Sequence, residues 1–300
     1  MKRPVRVPPS RAVLRSGPVS DPRKPVPVRL AEERDLPRGE ADLRHALATD
    51  PDGLFAASDD AGPLLGLAAG VVRGDVLVVL HLDVATRARG RGTGHALFAA
   101  VRAYGAARGA GHLEFLRPAE PETLGFLLST GLAVRGLGLR LRATLRGAAA
   151  TPAAPPGTLV PVAAGAPLAG WVADLDRETR GHARAADWAA WMHRGAAVLA
   201  LRRKGRPEAL GTLFVTGDAA ALGPIEARTP AGAAEMIPLL VAAARERGAA
   251  SATLTLPDGA RLPLAAAFRE RFRLETTFPL LASRPRGDFR RYAASPTPLF

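Results

Sequence analysis

A run of β-branched and aliphatic residues from Val76 to Val84 leads into Arg87-Ala88-Arg89-Gly90-Arg91-Gly92-Thr93-Gly94-His95. A helical pattern then runs from about Ala96 to Arg108. A strand, a glycine-rich turn and a helix in that order constrain the backbone closely. The glycines permit conformations that side chains disfavour. The helix start projects unpaired N–H groups at the positive end of the helix dipole, which suits a phosphate or diphosphate. Three arginines in the stretch add positive charge.

Three phosphate-binding templates compete for this segment. A Walker loop needs a lysine after its last glycine, and none is near; the lysines are Lys2, Lys24 and Lys204. A dinucleotide fingerprint fits Gly90 and Gly92, but His95 stands where its third glycine belongs. It also belongs early in a parallel βαβ unit, whereas this loop follows several strands with hairpin-like spacing. The third template is Arg/Gln-x-x-Gly-x-Gly/Ala after a strand. Arg89-Gly90-Arg91-Gly92-Thr93-Gly94, entered from Val84-Ala85-Thr86-Arg87-Ala88, meets every fixed position. In this the segment resembles the acetyl-CoA loop of the GNAT superfamily of N-acetyltransferases.

The flanking sequence extends the resemblance over residues 26 to 145. Val26 to Leu30 reads as an opening strand and Glu32 to Leu36 as a first helix. Asp50 to Ala57 and Leu64 to Val71 read as strands, with turn chemistry from Ser58 to Gly62. His112 to Leu116 reads as a short strand, Glu122 to Thr130 as a helix stopped by Gly131, and Leu137 to Leu145 as a closing strand. The second half repeats this order. Leu159 to Val162 opens it as a strand, and Pro167 to Arg177 and Ala186 to His193 read as helices. Val198 to Arg202, Leu210 to Thr216 and Ala221 to Ala227 are three strands. Gly232 to Arg247 is a long helix, Ala252 to Leu256 a strand and Pro263 to Arg271 a helix. Internal duplication of this kind defines an architecture. The fold class expected is α/β with an α+β mixed sheet: two GNAT-like domains in tandem, each a mostly antiparallel twisted sheet flanked by helices. The boundaries read as a basic arm at 1–25, the loop-bearing domain at 26–146, a Pro- and Ala-rich linker at 147–157 and a second domain at 158–300.

The second half carries the loop in worn form. In Arg228-Thr229-Pro230-Ala231-Gly232-Ala233 the arginine is kept, the two key glycines are alanines, and Pro230 removes a backbone donor. That marks the second domain as degenerate. Trp171 to Gly195, with Asp176, Arg177, Gly181, Arg184, Asp187 and Trp188, resembles the helical start of the second domain in tandem bacterial acetyltransferases. The plainer alternative is a surface helix pair with its tryptophans turned to the core. The tail Tyr292 to Phe300 is expected to dock on one of the domains.

Composition excludes some chemistry. Without cysteine there is no disulfide, no thiolate metal site and no cysteine nucleophile; no metal is expected. No run reaches membrane-span length, and Met1 to Lys24 lacks the apolar stretch of a secretory signal, so the chain reads as cytoplasmic. The net charge of +13 raises a nucleic-acid reading. The basic residues, however, are scattered arginines, and aromatics make up only 5%, too few for a base-stacking platform. Contact with nucleic acid would fall mainly to the arm.

The resemblance implies acetyl-CoA as co-substrate and a primary amine of a small molecule or peptide as acceptor, with the chain a monomer or homodimer. Backbone groups of Leu82, Asp83 and Val84 would hold the pantetheine and polarise the acetyl carbonyl. Gly90, Arg91, Gly92, Thr93, Gly94 and His95 would hold the diphosphate by their N–H groups, with Arg87, Arg89 and Arg91 adding charge. Candidates for the proton acceptor are Glu114, set in an apolar strand where desolvation raises a carboxyl pKa, and His81 and Asp83, on one strand face by alternation. The alternative for Glu114 is an exposed residue or one paired with Arg117. The family's thiolate-protonating Tyr has no counterpart: Leu127 falls there, beside Phe126. This keeps open a non-catalytic protein that binds acetyl-CoA and responds to it.

Overall fold

The computed structural model describes residues 26–59, 62–145, 158–162 and 170–296. The basic arm, the linker, the last four residues of the tail and the first three of the helix expected at 167–177 lie outside them. The element order is β1 (Val28–Leu30), α1 (Ala41–Thr49), β2 (Leu54–Ser58), β3 (Leu64–Arg73), β4 (Val76–Val84), α2 (Thr93–Ala107), β5 (His112–Phe115), α3 (Pro121–Ser129) and β6 (Ala133–Thr144). It continues with β7 (Thr158–Val162), α4 (Gly170–Arg180), α5 (Ala185–His193), β8 (Ala197–Arg203), β9 (Arg206–Thr216), β10 (Ala219–Ala227), α6 (Pro230–Glu246), β11 (Ser251–Pro257), α7 (Arg261–Arg269), β12 (Arg273–Ala282) and β13 (Tyr292–Ala293). The order of strands and helices in the first half recurs in the second, with one added helix after its opening strand.

By internal contacts the chain forms two compact units that cut across these sequence halves. One comprises residues up to Val71 with His81–Ala107, the other Val72–Leu80 with Arg108 onward. β3 and β4 therefore each pass through both.

In the first unit β1, β2 and β3 pair antiparallel, with Val28 opposite Ala57 and Leu54 opposite Ala69. α2 buries Thr93, Leu97, Phe98, Val101, Tyr104 and Gly105, a spacing that lines one helical face with apolar groups. Tyr104 then hydrogen-bonds Asp50 at 2.5 Å. Two features departed from the sequence pattern. The helix expected at 32–36 is a single 3-10 turn, Glu33–Asp35, braced by the Arg29–Asp35 ion pair. The unexpected α1 buries only Asp42, Leu43 and Ala46, too narrow a stripe to read as a period.

In the second unit β4 and β5 pair in parallel through Val76–Val78 and His112–Glu114. The unexpected strand β12 follows: it lies between β5 and β6, antiparallel to both. β6 in turn pairs with β11, Ser251 opposite Thr144. The closing strand of each sequence half is thus exchanged, β12 lying beside the first half's β5 and β6 beside the second half's β11. β7 to β10 complete an antiparallel run. α6 buries Met236, Ile237, Leu240, Val241 and Ala244 against a core that includes Leu213, Leu222, Ile225, Leu254 and Phe272. Apolar residues recur on α6 at three- and four-residue steps, as a core-facing helix requires.

Candidate functional site

β4 is fully buried from Val76 to Leu80 and half-buried from His81 to Val84. Its ladder with β5 ends at Val78, and the Leu80 carbonyl accepts a hydrogen bond from the Arg117 guanidinium. In the first unit, the Ala85 N–H is tied to the Leu65 carbonyl at 2.8 Å. Gly66, on the facing strand, has no room for a side chain: a Cβ there would lie 2.9 Å from the Asp83 carbonyl oxygen and 2.8 Å from Leu97 Cδ1. A small residue at 66 is what lets the Asp83 backbone and Leu97 approach this closely.

The chain then makes a 3-10 turn at Thr86–Ala88 and enters α2 through Gly90 at φ +72° and Gly92 at φ +79°. Both angles lie in the left-handed region that favours glycine. A Cβ on either glycine would meet nothing within 4 Å, so the space before them is open. The Thr93 hydroxyl donates to the Ala88 carbonyl at 3.1 Å and closes the turn from inside. No acidic residue occupies the helix's first turn. The N–H groups at this end carry the dipole's positive pole. The arrangement fits a diphosphate: donors, space and positive charge without a competing carboxylate in that turn.

The three loop arginines do different things. Arg87 donates to the Leu64 carbonyl at 3.2 Å, and Arg89 to the Val84 carbonyl at 3.2 Å. Both brace the loop against the strands that carry it. Arg91 is half-buried and His95, in the first turn of α2, is exposed. Leu82 and Asp83 precede the loop as half-buried residues of β4, and His81 lies one step before them.

Glu114 is in different surroundings. Its side chain is 3% exposed and accepts from Arg180 Nη2 at 3.0 Å, the arginine itself being fully buried. Its partner is thus Arg180, while Arg117 goes to Leu80. A carboxylate sealed in an ion pair of this kind holds the fold together, and that use competes with proton transfer. Leu127 is buried in α3 and brings no hydroxyl.

Sequence reasoning missed the ionic core around the α4–α5 corner of the second unit. Arg73 pairs with Asp187 at 2.7 Å. Arg184 grips Asp176 through Nε and Nη2 at 2.9 and 2.8 Å, contacts Glu226 and donates to the Tyr292 hydroxyl at 3.2 Å. Trp188 Nε1 adds a bond to Asp176 at 3.1 Å. Trp188 and Trp191 are buried edge to face, their centroids 5.2 Å apart. Burial, reinforced by the Asp176 charge, pushes the Glu226 carboxyl well above its ordinary value against the pull of Arg184. His182 sits among Arg180, Arg184, Arg286 and Arg73, and burial with those charges holds its imidazole well below the usual value. The available signal was the cluster of charged residues from Asp176 to Asp187 beside two tryptophans.

The second half's loop is built otherwise. Thr229 caps α6, its hydroxyl accepting from the Gly232 N–H at 3.0 Å and donating to Glu208 Oε1 at 2.7 Å. A Cβ on Gly232 would lie 2.9 Å from the same carboxylate oxygen. Arg228, the retained arginine, donates to the Pro207 carbonyl at 3.1 Å and faces Glu178 at 3.7 Å. A carboxylate already stands at this helix start.

Residues 21–127 match the sequence model of the acetyltransferase (GNAT) family. This segment is a GNAT acetyltransferase domain. The solved structures agree on the fold. A protein from Pyrococcus horikoshii described as an acetyltransferase superposes with TM-score 0.69 at 18% identity, over 90% of this chain and 93% of that one. A GCN5-related N-acetyltransferase from Sphaerobacter thermophilus gives 0.57 at 16% identity, over 84% and 88%. A tandem GNAT protein of the clavulanic acid biosynthesis pathway gives 0.55 at 16% identity, over 83% and 89%. No curated protein sequence matches significantly. Members of the GNAT family transfer acetyl groups from acetyl-CoA. Among the described residues no helix is long and apolar enough to cross a membrane.

Proposed function

We propose that the chain is an acetyl-CoA-dependent N-acetyltransferase acting on the primary amine of a small molecule or peptide. One observation carries this reading: the open, glycine-formed helix start at Gly90–Gly94, with no acid in its first turn. Acetyl-CoA supplies an activated acetyl thioester. The N–H groups from Gly90 to His95 bind its diphosphate, and Arg91 adds charge beside them. Arg87 and Arg89 hold the loop to Leu64 and Val84 and keep those donors aimed. Backbone groups of Leu82, Asp83 and Val84 align the pantetheine arm and polarise the acetyl carbonyl. That arrangement stabilises charge developing on the carbonyl oxygen.

The absence of cysteine from the sequence favours direct attack by the amine in a ternary complex over a cysteine acyl-enzyme. The amine must first lose a proton. His81 and Asp83, both half-buried at the end of β4, are the groups placed to accept it, directly or through water. Glu114, buried in its pair with Arg180, serves that strand's anchorage instead. The buried Leu127 leaves protonation of the departing thiolate to water.

The same leucine supports a second reading, in which acetyl-CoA is bound and sensed without transfer. Thiol release separates the two. Incubating the protein with acetyl-CoA and a panel of primary amines, with a thiol reagent as readout, should give amine-dependent release. Binding of acetyl-CoA with no release for any amine favours the sensing protein.

A further inference from the structure

In the second half a gap opens between β10 and β11, the two strands that flank α6. β10 and β11 pair in parallel from Ala219–Leu222 to Ser251–Leu254 and then separate. The chain's own end enters the opening. Tyr292 and Ala293 pair antiparallel with Glu226 and Ile225 of β10. Ala294 bridges to Thr255 of β11, its N–H donating to the Thr255 carbonyl at 2.9 Å. The fit is close: a Cβ on Gly223 would lie 2.1 Å from the Ala294 carbonyl oxygen. Tyr292, Ala293 and Ala294 are all buried, and Tyr292 is also fixed by Arg184. At the head of the same gap, Glu208 sits at the start of α6.

We propose that the second half's carrier site is filled from within, so that the chain binds a single acyl-CoA. Residues 292–294 stand where a pantetheine arm would lie, and their amide groups satisfy the β10 and β11 edges as the two amides of pantetheine would. The Glu208 carboxylate stands where the diphosphate would. A CoA approaching this half would have to displace a buried strand and meet a fixed negative charge at the one place that elsewhere offers donors. The first half's helix start differs: its glycines face open space and its first turn lacks an acid. The alanine and proline substitutions at Pro230, Ala231 and Ala233 then follow naturally, because nothing there requires close approach of a phosphate.

The stoichiometric part of this inference rests on the carrier reading of the first loop; the occupied gap does not. Two measurements on the full chain separate them. The first is hydrogen exchange without ligand, read at the Ala294 amide. An inserted strand predicts exchange slower than an unstructured amide by about 1,000-fold or more; exchange at the unstructured rate overturns the proposal. The second is calorimetric titration with acetyl-CoA of the wild type and of Gly92→Val. One site in the wild type and none in the variant are expected. Two sites in the wild type overturn the proposal; a single site that persists unchanged in Gly92→Val refutes instead the reading of the first loop. A wild type that binds none refutes the reading of the first loop, and the exchange result then decides the filled gap by itself.

Discussion

Two groups in the α4–α5 ionic core are held in unusual protonation states, and their effects on stability oppose one another. His182 is kept neutral in the fold by burial among four arginines. Once unfolded it takes up a proton below the ordinary imidazole value of 6.5. Its depressed folded pKa therefore gives stability that is present above 6.5 and lost as pH falls. With the folded value well below, the loss between pH 7 and pH 5 is about 2 kcal/mol, one proton's worth. Glu226 is kept protonated, chiefly by burial, whereas its unfolded carboxyl stays ionised down to 4.5. A raised folded pKa gives stability that grows as pH falls, by at most one proton's worth, on the order of 2 kcal/mol, over the same interval. In the wild type these two contributions therefore oppose one another. His182→Gln should gain about 2 kcal/mol at pH 5 relative to pH 7 when compared with wild type. Glu226→Gln should lose on the order of 2 kcal/mol at most in the same comparison. Urea unfolding of all three proteins at both pH values reads these differences directly. If both variants keep the wild-type pH response, the protons are not where the structure puts them.

Arg73→Met removes the partner of Asp187, whose side chain is 1% exposed, and should cost about 3–5 kcal/mol in chemical unfolding. Arg177→Met, at the solvent-exposed pair with Asp174, should change stability by no more than about 0.5 kcal/mol. Gly66→Ala places a methyl against the Asp83 carbonyl and Leu97, and should weaken acetyl-CoA binding on the order of 10-fold by moving the end of β4; unchanged affinity by calorimetry would show that this strand end does not position the carrier.

The loop was legible in the sequence because its signal is local. Glycines at 90 and 92, between an apolar strand and a helical period, leave few backbone solutions, and the structure gives both the left-handed angles that only glycine adopts easily. Most other elements were legible for the same reason, with α1 and β12 the ones missed. What was hidden is non-local. β12, Arg273–Ala282, carries five exposed residues before its buried end and a proline near that end, so its pattern resembles neither a core strand nor a helix. Its place between β5 and β6 is a matter of topology that no short window contains. Asp176, Arg184 and Asp187 were visible as a cluster, but the partners that explain the corner are distant in sequence: Glu226 lies 42 residues from Arg184, Glu114 66 from Arg180, and Arg73 114 from Asp187. The tail was expected to dock. That residues 292–294 pair as a strand between β10 and β11 depends on a gap visible only in three dimensions.

The most direct test of the account is a calorimetric titration of acetyl-CoA against the wild type and Gly92→Val, with circular dichroism to confirm that the variant keeps its fold. Gly92 sits at φ +79° with open space before it. A branched side chain there is strained and fills that space. Saturable binding to the wild type and its loss in the folded variant are expected. Equal binding to both proteins, or none to the wild type, contradicts the claim that this helix start grips the diphosphate of an acyl carrier.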